Sequence, residues 1–346
     1  MASPQRRVIA AFDKFRHTAT AADLGLATGD VAWELGWDCH SVPLADGGEG
    51  TLDVLAASGG TRQRARVHDA AGRPVEAEWL LRGTTAFIEM ARASGLAMVG
   101  GAEGNDALEA STRGTGELVI AAVNAGAKRI VVTLGGSATT DGGLGALQAM
   151  EPLARLKGVR LVGACDVSTT FVDAARVFGP QKGASDAQVA LLTRRLERLA
   201  DSYLSLRGVD VRSVAGSGAA GGLAGGLVSV GATLESGFSL VSEELRLAET
   251  LEGADLVVTG EGFLDDESFH GKVVGGVVAL ARSLGLPVVI VCGGRQDGLA
   301  IPDALAGSVH EVIVLSERFG RDRSWSEPLV CLRSALPPVL AGWPSA

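Results

Sequence analysis

The 346-residue sequence is short of large rings, of lysine and of cysteine. Aromatic residues make up only 4% and apolar residues 47%, so any core must rest on Val, Leu, Ile and Ala, a composition that suits buried parallel strands. The four cysteines, Cys39, Cys165, Cys292 and Cys331, are scattered, without CxxC spacing or nearby histidines. That pattern excludes a zinc ribbon and a disulfide scaffold, and it points to a reduced, cytoplasmic protein. His17, His40, His68, His270 and His310 fall in no metal or triad spacing and read as structural residues. No secretory leader is expected, because the first residues run directly into a short alternating strand. Long apolar runs are also missing: residues 215–234 are the nearest approach, and glycine crowds them too heavily for a membrane span. With 40 acidic and 31 basic residues the net charge is -9, which offers no general attraction to nucleic acid or to anionic lipid. The expected partner is therefore a small molecule, bound by a monomer or homodimer. An anionic substrate would need its own local cations.

What is present is an alternation of short apolar runs and helical patterns. Strands are expected at 8–12, 130–134, 160–165, 255–259, 288–292 and 309–315, and helices at 20–35, 115–125, 185–206, 240–251 and 273–284. In the third helix Val189, Leu192, Leu196, Leu199, Tyr203 and Leu206 make one apolar stripe, and Ser185 with Gln188 forms a capping box at its start. Between 61 and 96 the rhythm changes to alternating strands broken by turns at 72–74 and 83–84. The pattern predicts an α/β fold with two lobes. The change of rhythm over 61–96 reads as an inserted lobe. The stretch 318–346, rich in Arg, Ser and Pro, is expected to fray.

Ligands collect at the carboxyl ends of parallel strands, and glycine-rich segments carrying acids or lysine fall beside those ends. They are 45–51 (ADGGEGT), 135–143 (GGSATTDGG), 179–184 (GPQKGA), 216–222 (GSGAAGG) and 259–262 (TGEG), the last followed by Asp265 and Gly271-Lys272. Successive glycine N–H groups can form nests for phosphate oxygens, and neighbouring carboxylates can hold magnesium. Those are the parts phosphoryl transfer requires. Asp46 and Glu49 are candidates for magnesium or hydroxyl contact; Ser137, Thr139 and Asp141 for phosphate and metal, with helix capping the alternative for Asp141. Lys182 and Lys272, two of only five lysines, are candidate cations for the γ-phosphate. Glu261 and Asp265 are plausible metal ligands or bases, and Asp166 a hydroxyl-orienting base.

Across almost its whole length the sequence resembles the glycerate kinase family. The likeness runs through Phe12-Asp13-Lys14-Phe15, 45–51, 135–143, Cys165-Asp166-Val167, 178–184, 218–222 and 259–272. The resemblance implies ATP and Mg2+ as co-reactants, D-glycerate as acceptor, 2-phosphoglycerate as product, and a site between two lobes: a Rossmann-like parallel-sheet domain of residues 1–60 with about 253–346, and an inserted second α/β domain of about 61–252, with 112–150 assignable to the first. Catalytic roles then fall to Asp46, Asp166, Lys182 and Lys272. Nucleotide contacts fall to Asp13, Lys14, Arg16, Gly47, Gly48, Gly135, Gly136, Ser137, Thr139, Gly218, Gly221 and Gly260, and magnesium to Glu49, Asp141, Glu261 and Asp265. The sequence departs from the family pattern at Arg16 (lysine there), His17 (glycine), 168–171 (Asn-Pro-Leu), Phe263 (arginine), Glu267 (glutamine) and Val274 (proline). An arginine lost and a carboxylate gained make the site more negative, which would weaken binding of two anionic substrates.

Two other readings remain open on sequence alone. Gly216-x-Gly218-x-x-Gly221, with Glu243 about 20 residues on, matches a dinucleotide fingerprint that would mark an oxidoreductase. The substitutions would also suit a kinase-like scaffold kept for binding or assembly. A P-loop is excluded, since Gly271-Lys272 is followed by Val273 and lacks the required upstream glycine.

Overall fold

The computed structural model describes residues 5–344. Its strands are β1 (Arg7–Phe12), β2 (Asp38–Ser41), β3 (Thr61–His68), β4 (Pro74–Arg82), β5 (Thr85–Glu89), β6 (Arg129–Thr133), β7 (Arg160–Ala164), β8 (Thr233–Glu235), β9 (Leu256–Leu264), β10 (Val288–Arg295) and β11 (Val309–Val314). They build two compact units, one of residues 5–46 with 238–344 and one of Gly47–Gly237.

The first unit holds a five-stranded sheet in the order β11-β10-β9-β1-β2, every pair parallel. Val8 to Phe12 and Leu256 to Val258 are almost wholly buried at its centre, as expected of parallel strands covered on both faces. The helix Ala21–Glu34 begins at Thr20, which forms a capping box with Asp23, and it buries Leu24, Ala27, Val31 and Ala32. The stretch expected to fray is folded instead. Short helices at Leu315–Phe319, Arg321–Ser326, Pro328–Ala335 and Pro337–Ala341 follow β11, and Cys331, Leu332, Leu336 and Leu340 join Leu24 and Val31 in one core. Tertiary burial of four apolar residues outweighs a local composition that favours irregular chain. The expected helix at 240–251 is likewise two pieces, Gly237–Glu244 and Leu247–Leu251, separated where Arg246 takes φ 54°.

The second unit is a six-stranded sheet in the order β3-β4-β5-β6-β7-β8. Its first three strands are antiparallel meander strands and the rest run parallel. The helix Asp186–Arg207 carries the expected Ser185–Gln188 capping box and buries Leu192, Leu196, Ala200 and Tyr203. Leu206, however, is 79% exposed. A stripe repeating every 3.5 residues rotates slowly around a 3.6-residue helix, and by Leu206 it has turned away from the core. The joints fall at 46/47 and 237/238 rather than near 60 and 252. Residues 47–60 go with the second sheet because the buried Glu89 carboxylate, on β5, accepts the N–H groups of Gly50 and Leu52. Residues 112–150, which contain β6, lie wholly in the second unit.

Candidate functional site

In the first unit, the carboxyl ends of β1, β9 and β10 open into a cavity of about 1070 Å3 whose lining residues all belong to that unit. Asp13 follows β1 and donates its N–H to the Gly260 carbonyl of the neighbouring strand, so it lies beside Glu261 by register. Its carboxylate accepts the Lys14 N–H at 2.7 Å, with the Lys14 ammonium 3.9 Å away. Burial raises Asp13 to about 6, with Lys14 opposing and Asp46 adding repulsion. Burial also raises Glu261 to about 7, against a lowering hydrogen bond from Ser268 and with further repulsion from Asp13. One oxygen of Glu261, Oε1, is buried with no protein donor. Two adjacent carboxyls held above their ordinary range resist carrying both negative charges until a cation or a proton arrives.

Around this pair stand Arg16, Asp46, Asp265 and Lys272. Asp265 is engaged as the cap of the turn Asp266–Phe269, accepting from both the N–H and the hydroxyl of Ser268. Burial works against the Lys272 ammonium, yet its hydrogen bond to Glu267 at 3.0 Å and the charges of Asp265 and Glu261 raise its pKa. Glu267, one of the departures noted above, is thus the partner of the expected phosphate cation. Gly260 is buried in β9, and a side chain there would strike the Val291 carbonyl, so its smallness serves strand packing.

In the second unit the other glycine loops meet one another. Gly135 donates to the Gly47 carbonyl, Gly142 to that of Gly221, and Gly218 to that of Thr169. Glu49 lies over Gly136, and Gly48 beside Gly135. Lys182 is 2% exposed, and its ammonium donates to Ser137 Oγ at 2.8 Å and to the Thr139 carbonyl at 2.6 Å. Burial pushes it down to about 7, with Asp141 pulling the other way. It ties Ser137 to Thr139 inside the loop cluster. Asn105 completes the clasp by donating to the carbonyls of Ala138 and Lys182. Asp141 accepts from the N–H and hydroxyl of Thr112 and from the N–H groups of Gly143 and Gly145. That bonding braces the loop. The hydroxyls of Thr139, Thr140 and Ser217 are buried with no protein partner. Asp166, after β7, accepts the Gly237 N–H at 2.8 Å.

The structure therefore gathers Asp13, Lys14, Arg16, Asp46, Glu261, Asp265 and Lys272 in one unit, and Gly47, Gly48, Glu49, Gly135, Gly136, Ser137, Thr139, Asp141, Asp166, Lys182, Gly218 and Gly221 in the other. Among the described residues, no group of three or more His, Cys, Asp or Glu is assembled to hold a metal. The Gly216–Gly221 run also lacks the strand its dinucleotide reading required, since 211–213 is a 3-10 turn and Gly222 leads into a helix of only six residues. Sequence reasoning missed Asn105 and Thr112, which lie in an unremarkable polar loop, and it missed Trp325 and Gly293-Gly294, which line the first-unit cavity.

Parallel sheets with acid–base pairs and glycine loops at their carboxyl ends define an α/β enzyme of the phosphotransferase type. The model of the glycerate kinase family matches residues 8–154 and 151–319. A glycerate 2-kinase of Escherichia coli K12 is 36% identical, with 90% of this chain and 93% of that protein covered. A glycerate kinase of Bacillus subtilis 168 is 35% identical over 93% and 95%. A crystal structure assigned as glycerate kinase 2 from Salmonella typhimurium LT2 superposes with a TM-score of 0.79 at 31% identity, covering 98% and 99% of the two chains. The chain belongs to the glycerate kinase family.

Proposed function

We propose that this chain transfers the γ-phosphoryl group of ATP to the 2-hydroxyl of D-glycerate, giving 2-phosphoglycerate and ADP. The observation that carries the reading is the first-unit cavity, where the raised carboxyls of Asp13 and Glu261 stand with Lys14, Arg16 and Lys272. In the transfer the acceptor oxygen bonds to the γ-phosphorus, the bond from that phosphorus to the bridging oxygen breaks, and ADP departs with the bridging oxygen. The hydroxyl proton passes to a carboxylate other than those that would hold the metal, and Asp166 is the candidate. Lys272, Lys14 and Arg16 would hold phosphate oxygens as charge shifts during transfer.

The buried Glu261 oxygen without a donor and the neighbouring Asp13 carboxyl fit magnesium, which takes one or two protein carboxylates and fills its octahedron with phosphate oxygens and water. When bound, the ion would supply positive charge against the phosphates. In the second unit, the orphaned hydroxyls of Thr139, Thr140 and Ser217 and the loops braced by Lys182 and Asp141 support anion recognition.

An assay of ADP release across a panel of small hydroxy acids tests the proposal. D-glycerate should stimulate turnover most, and Lys272→Ala should lower kcat/KM by roughly 10²–10³. Asp166→Asn tests the proton acceptor by the loss of turnover it causes. If no acid stimulates ATP consumption, or if Lys272→Ala turns over like the parent, the proposal fails.

A further inference from the structure

The ionic cluster occupies only part of the first-unit cavity. Two residues beyond Glu261 along β9 is Phe263, on the same face of the strand and about 7 Å further on by strand geometry. Its side chain is not tucked into the core: Phe263 is 57% exposed, a large ring left open inside a cavity. Opposite Phe263 in register stands Gly294 of β10, and the ring lies over that glycine, within 3.4 Å of where a Cβ would be. The helix Arg321–Ser326 packs on β10 and adds Trp325, 63% exposed, to the same lining. Surface aromatics occur singly in most proteins, but here two rings from separate elements share one cavity with the charged cluster. The same cavity is also lined by the Arg295–Glu317 ion pair, at 2.8 Å.

We propose that Phe263 and Trp325 form an aromatic wall that takes the flat heteroaromatic base of the nucleotide, with its phosphates directed along β9 toward Glu261, Lys14 and Lys272. A purine offers a π-face to each ring and carries no charge, whereas the polyphosphate requires the cations beyond Glu261. The acceptor is too small and too polar to gain from two rings. This wall rests on the reading of the chain as an ATP-dependent kinase, but it is tested apart from turnover.

The probes are ADP, ATP, inorganic tripolyphosphate and D-glycerate, added to the full chain and followed by tryptophan fluorescence and calorimetry. Trp325→Phe isolates the signal of that ring from the four other tryptophans. ADP and ATP should change Trp325 emission saturably, while tripolyphosphate and glycerate should not. Phe263→Ala should weaken ADP binding about ten-fold, equivalent to about 1.4 kcal/mol, with Phe263→Tyr restoring it and tripolyphosphate affinity unmoved. Both rings are open to solvent, so the variants should keep the parent's circular dichroism. The wall is refuted if ADP fails to bind, if it binds without disturbing Trp325, or if Phe263→Ala weakens tripolyphosphate equally. Nucleotide stacking without phosphorylation of any hydroxy acid would sustain the wall and remove the kinase reading; turnover with an ATP KM indifferent to Phe263→Ala would do the reverse.

Discussion

Glu261 carries the clearest titration signature among the first-unit carboxylates. Its folded pKa of about 7 stands above the ordinary 4.5, so its protonated form is favoured in the native state. Stability from this group is present in full below about 4.5 and is lost as pH rises through 7. In magnesium-free buffer the melting temperature should therefore fall between pH 5 and pH 8. Glu261→Gln should flatten that slope and be the more stable protein at pH 8, by on the order of 1–2 kcal/mol; an unchanged slope would mean the carboxyl is better solvated than its surroundings indicate. His17, at the same cavity, holds φ 67°, a left-handed conformation that costs a non-glycine residue roughly 1 kcal/mol. His17→Gly should raise stability by about that amount in denaturant titration, whereas a loss would show that the imidazole makes compensating contacts. The sequence revealed that these residues lie in ligand-type loops, but not which were committed to the fold. Lys182 and Asp141 look like ligand groups because lysine and aspartate beside glycine usually are exposed; only the burial of one and the four accepted hydrogen bonds of the other show them bracing the loops.

At the scale of elements, the long periodic helices and the buried strands were legible because a strong local pattern and the tertiary environment agree. The helix Asp186–Arg207 starts on its expected cap, and β1, β6, β7, β9, β10 and β11 fall where the apolar runs are. The short edge strands β2 and β8 were not legible, since Asp38–Ser41 and Thr233–Glu235 are too brief and too polar to stand out. The carboxyl-terminal helices were hidden for a different reason: each is only five to eight residues long, and their order comes from docking on the first-unit core. Leu332→Ala should accordingly cost about 2–4 kcal/mol, measured by denaturant unfolding, although the position lies in a stretch whose composition suggests loose chain. A change below about 0.5 kcal/mol, the usual size of a surface effect, would show that these helices do not share the core.

For the whole molecule, a parallel-sheet unit and a mixed-sheet unit each bring their own set of groups: carboxylates, cations and rings in one, braced glycine loops with unpartnered hydroxyls in the other. Family membership accounts for the order of the motifs, and at two of the positions expected to depart from its pattern Phe263 is exposed and Glu267 pairs with Lys272. The account depends most on phosphoryl transfer being carried by the first-unit ionic cluster. Phosphorus NMR of a reaction holding the full chain, MgATP and D-glycerate measures this directly. The account predicts a phosphomonoester resonance of 2-phosphoglycerate growing in step with ADP, and its near disappearance with Asp13→Asn. Formation of that product at an undiminished rate by the Asp13→Asn protein, or ADP without any phosphorylated acid, would contradict it.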